Sequence, residues 1–114
     1  MLSNDAYDNL AESLKEAGIT KSNMFGMPVL KLGKKPIAGL VEDGVNFKLP
    51  ADSLESKEAL ALSGAHLFQP EMHGKKGPLM KQWVVVPFGH QAHYPDLAEA
   101  SIKFVAAELE RNSK

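Results

Sequence analysis

The stretch "HLFQPEMHGKKGPLMKQW", residues 66–83, gathers the side chains best suited to chemistry: His66, Glu71, His73, Lys75, Lys76, Lys81 and the sole tryptophan, Trp83. Two more histidines, His90 and His93, follow in "GHQAHYP". Imidazole and carboxylate groups are metal ligands, but they must converge. Three-residue spacing brings two imidazoles together only on a helix, and Pro87, Gly89 and Pro95 argue against one there. No H-E-x-x-H motif occurs and cysteine is absent. The expectation is surface histidines in loops, with no metal site.

"HGKKGP" offers two glycines and two lysines, and backbone amides beside ammonium groups can form a small anion nest. The G-x-x-x-x-G-K-[ST] pattern is missing, and the following segment reads as a strand rather than a helix. "EMHGKK" is therefore expected to be a solvated connection between strands. The alternative is a binding module for a small phosphate-bearing ligand at the 74–81 loop, using Lys75, Lys76 and Lys81. No serine sits in a G-x-S-x-G turn, and the carboxylates are scattered over helix surfaces, so no catalytic residue and no cofactor is expected. The chain reads as a non-enzyme.

Composition narrows the partners. Thirteen Lys and Arg against fourteen Asp and Glu leave a net charge of −1, without the basic surplus that drives direct nucleic-acid binding. No apolar run reaches the ~18–20 residues of a membrane span. The polar start "MLSNDAYDNL" is unlike a signal peptide, which makes a cytoplasmic location the expectation.

These side chains need elements to position them. "SNDAYDNLAESLKEAG" predicts a helix capped by Ser3 or Asn4, with Ala6, Tyr7, Leu10, Leu14 and Ala17 as its apolar stripe and Gly18 closing it. Strands are predicted near residues 24–32, 36–42 and 45–49, joined by "GKK" and "DG" turns. Pro28 marks the first of them as an edge or a bulged strand. "ADSLESKEALALSG" predicts a short helix, with Asp52 and Glu55 at capping-box spacing. "AHLF" and "LMKQWVVVP" predict two further strands, in which Trp83 is read as packing rather than as a recognition anchor. "YPDLAEASIKFVAAELERNSK" closes the chain as a helix with Ala98, Ile102, Val105 and Leu109 inward.

The resulting order is α-β-β-β-α-β-β-α. It describes a two-layer α+β domain over residues 1–114, with a five-stranded antiparallel sheet and helices on one face. On the first strand Met24, Leu30 and Leu32 alternate against Phe25, Met27 and Val29. Helices cover only one sheet face, so Phe25, Met27 and Val29 become the candidate interaction surface for a protein partner or a homodimer.

"MFGMPVLKLGKKPIAGLVEDGVNFKLP", "ALSGAHLFQP" and "GPLMKQWVVVP" with the closing helix resemble the TfoX N-terminal domain-like family across residues 5 to 110. Met24-Phe25-Gly26, Phe47-Lys48-Leu49 and Met80-Lys81-x-Trp83 are the most specific parts of that resemblance. It implies a compact α+β fold with an antiparallel sheet. It also implies a non-enzymatic regulatory role, since the family's namesake is a bacterial competence co-regulator that carries a further, C-terminal domain. The resemblance implies no catalytic or cofactor residues.

Overall fold

The computed structural model describes residues 5–24, 26–72 and 74–112. Among them it confirms an α+β architecture: three helices against one antiparallel sheet. The helices are α1 (Asp5–Ser13), α2 (Leu54–Leu60) and α3 (Tyr94–Asn112). The sheet has six strands rather than five, in the order β1-β2-β3-β4-β8-β5. These are β1 (Ile19–Met24), β2 (Met27–Leu32), β3 (Lys35–Leu40), β4 (Gly44–Lys48), β5 (His66–Phe68) and β8 (Met80–Pro87). A separate hairpin, β6 (Glu71–Met72) and β7 (Lys75–Lys76), stands between β5 and β8 in sequence.

The additional strand is β1, "ITKSNM". It pairs with β2 in six registered positions, from Ile19↔Leu32 to Met24↔Met27. Met24 therefore ends β1, and Met27–Leu32 of the expected strand 24–32 forms β2, its antiparallel partner. β1, not β2, is the sheet edge, while β2 carries a register irregularity against β3 between Leu30 and Lys31 rather than at Pro28. Pro28 lies one position outside the β2–β3 ladder, which begins at Val29↔Gly39, so its missing N–H breaks no bond to β3.

Pairing fixes two rows of side chains across the sheet. Lys21, Leu30, Ala38, Phe47, Val84 and Leu67 lie side by side on the helix face. Ala6, Tyr7 and Leu10 of α1, Ala59 of α2, and Tyr94, Leu97, Ala98 and Val105 of α3 join that row in one buried core. Tyr94 fastens the start of α3 to the sheet. Its hydroxyl donates to the Val86 carbonyl at 2.7 Å, and its ring sits 5.3 Å from that of Phe47. Burial pushes its hydroxyl pKa up to about 12.

The second row is Ser22, Val29, Gly39, Asn46, Val85 and His66, on the face away from the helices. Its centre is closed to solvent: Val29 and Val85 are each 1% exposed and Gly39 is buried. Glycine at 39 makes room for a cover, because a Cβ there would meet the Met27 sulfur and methyl at 3.3 and 3.2 Å.

Local chemistry corrects several expected boundaries. Ser53, not Asp52, caps α2: its hydroxyl accepts from the Ser56 N–H at 3.1 Å, and Asp52 takes a left-handed φ of 61° in the preceding turn. The first helix ends at Ser13 and is followed by a 3-10 turn at Lys15–Ala17 that leaves Ala17 exposed. Gly18, at φ 85°, closes that turn as expected. The expected caps Ser3 and Asn4 lie outside the described residues.

Candidate interaction groove

A hollow of mixed apolar and polar lining lies against β5. It measures about 590 Å³ and is walled by the β3–β4 turn (41–43), by residues 66–69, and by Leu79 and Val85. Its lining takes in the three residues of β5 with Gln69, and Val85 of the neighbouring strand β8. Leu79 is 54% exposed, Phe68 and Val41 are half-buried, and Val85 forms the floor.

The turn that forms one wall is held from two sides. Val41 N–H donates to the Gly44 carbonyl at 3.0 Å. Gly44 then sits so close to β8 that a Cβ would lie 2.2 Å from the Val86 oxygen. "DG" does mark this hairpin, but Gly44 is not in the left-handed region; it is needed because β8 leaves no room.

His66 links β5 to this turn. Its Nε2 lies 3.2 Å from Asp43 Oδ2 and its Nδ1 lies 3.0 Å from the Leu67 carbonyl. Both neighbours only accept, so both bonds form together only when the ring is an imidazolium. The Leu67 carbonyl, with Asp43 adding to it against partial desolvation, raises the His66 pKa above its ordinary value.

The other expected site residues do not assemble. Val29 is buried within the chain, at 1% exposure, and is unavailable as a contact surface. Met27 is half-buried and spends its thioether over Gly39. Phe25 lies outside the described residues. "EMHGKK" is not a loose connection: Glu71 pairs with Lys76 and Met72 with Lys75, and the Gly77 N–H donates to the Pro70 carbonyl at 2.7 Å. As neighbours on a strand, Lys75 and Lys76 project to opposite sides of the ribbon, and Glu71 stands across from Lys76. Lys81 is on β8, in a different sheet. These three ammonium groups thus lack a common direction.

Among the histidines, the segment after Pro87 is helical after all, a 3-10 turn over Phe88–His93 with a kink at His90. The His90 and His93 rings come within 6.3 Å, but His90 Nε2 is 2.8 Å from the Ser63 carbonyl and donates there. His73 lies outside the described residues. No group of three ligand-type residues converges among the described residues. Trp83 is half-buried on β8, opposite Lys48. Sequence reasoning missed Val41, Glu42, Asp43, Phe68 and Leu79. The available signal was Leu79 itself, a large apolar residue directly after Gly-Pro. No helix among the described residues is long and apolar enough to cross a membrane. No family model, curated protein or solved structure matches this chain.

Proposed function

We propose that the chain is a non-enzymatic protein-interaction or regulatory domain that engages its partner through the β5 groove. One observation carries this reading: Leu79, Phe68 and Val41 wall a hollow floored by Val85, and no helix residue lines it among the described residues. Apolar surface left open in this way favours a binding partner. A regulatory role is also what the resemblance to the TfoX N-terminal domain-like family implies. The phosphate-ligand reading at residues 74–81 is weaker, because Lys75 and Lys76 diverge and Glu71 offsets one of them.

The test is Leu79→Asp. This exposed side chain supports little of the core, so the change shifts stability by less than about 0.5 kcal/mol. Chain purified from its native host is expected to co-elute with a stoichiometric protein partner, and the variant to elute alone with an unchanged thermal midpoint. Identical partner recovery by both proteins contradicts the assignment.

A further inference from the structure

We propose that a hollow between α2 and α3 receives an arginine side chain of a partner protein, its stem on apolar lining and its guanidinium among carboxylates. This goes beyond the β5 groove, with which the hollow shares no lining residue. It measures about 370 Å³. Buried Ala59 and Leu97 and half-buried Leu62 and Ala100 supply its apolar lining. Exposed Glu55, Glu58 and Asp96 line it too, with His93, and no lysine or arginine does among the described residues. The three carboxylates lack a counter-charge. None of the ion pairs among the described residues includes them. Lys57 lies between Glu55 and Glu58 in sequence, and residues so close on a helix do not face each other. Lys103 of α3 is held by Glu99 at 3.3 Å. These carboxylates do not converge tightly enough to hold a metal ion, which leaves a larger cation. Guanidinium spreads several N–H donors over a planar fork and can bond to more than one carboxylate, whereas ammonium is a compact, strongly hydrated charge. The aliphatic stem of arginine suits the apolar lining while its head stays at the wet rim. Arginine is also among the side chains that most often anchor protein interfaces.

The experiment follows amide chemical shifts of the isotope-labelled full chain during titration with a short capped peptide carrying one arginine between leucines. The expected shifts fall within residues 55–62 and 93–100 and spare residues 66–69. Replacing the arginine by citrulline, which keeps the shape and removes the charge, should weaken binding at least about fivefold. Glu58→Gln combined with Asp96→Asn should reproduce that loss while the spectrum stays native elsewhere, because both side chains are exposed. Butylguanidinium alone should bind at least about threefold more weakly than the peptide, since it lacks the flanking contacts. Equal affinity of the arginine and citrulline peptides overturns the proposal. So do shifts spread evenly over other exposed carboxylates, such as Glu16 and Glu42, or none at saturating peptide. Butylguanidinium binding as tightly as the peptide also overturns it, by assigning the hollow to a free small cation.

Discussion

The two edges of the sheet are built differently. β1 runs six residues and is paired along its whole length with β2. Its exposed side chains are polar, Thr20, Lys21 and Asn23, and α1 reaches across to it. Lys21 Nζ lies 3.1 Å from Asp8 Oδ1 and 5.9 Å from the centre of the Tyr7 ring. A charged, helix-covered edge discourages further pairing. β5 has only three residues, its pairing with β8 slips after Leu67, and apolar Phe68 and Leu79 flank it together with Glu42 and the His66–Asp43 pair. A chain that guards one edge and leaves the other bordered by a hollow has a polarity. The partner binding proposed above is placed at the second.

The largest expected effect strikes the wall of the open edge. Gly44→Ala drives a methyl into the Val86 carbonyl, so β4 and β8 must separate; a loss of about 3 kcal/mol or more should appear as a lower urea midpoint. The next compares the edges directly. Ile19 anchors β1 in the core at 4% exposure, and Ile19→Ala should cost about 2–3 kcal/mol. Leu67 anchors β5 from a half-buried position, so Leu67→Ala should cost about 1 kcal/mol. Equal losses in paired denaturation curves would erase the distinction between a fastened and a loose edge.

Smaller effects are electrostatic. The His66 pKa is raised in the folded chain, so its stabilising contribution is complete below about pH 6.5, the unfolded value, and is lost as pH rises through the folded value. With the ring 53% exposed, solvent screening limits this to under about 0.5 kcal/mol. A pH series should show it for the wild type and not for His66→Asn. Removing the guard pair with Lys21→Ala should change stability by less than about 0.5 kcal/mol, because both groups are half-exposed.

The core was legible because period-two and helical spacing survive wherever one face is buried, as in Val45, Phe47 and Leu49 or Ala98 and Val105. β1 was not legible, since an edge strand of polar residues carries almost no apolar alternation: only Ile19 is buried. Pairing along β2 makes it a strand, and that is a non-local fact. The second face misled for a related reason. Val29 looks uncovered when helices alone are counted, yet it is buried together with Asn46 and Val85, and Met27 packs over the neighbouring Gly39. The groove was invisible because residues 41–43, 66–69 and 79 meet only through the strand order β4-β8-β5. No local pattern encodes that order.

The most direct measurement places a photo-crosslinking side chain at position 79 in the groove, or at position 20 on β1, and illuminates the chain in its native cell. The account predicts a discrete protein adduct from position 79 and none from position 20. The same adduct from both positions, or an adduct from position 20 alone, would contradict the assignment of partner binding to the β5 edge.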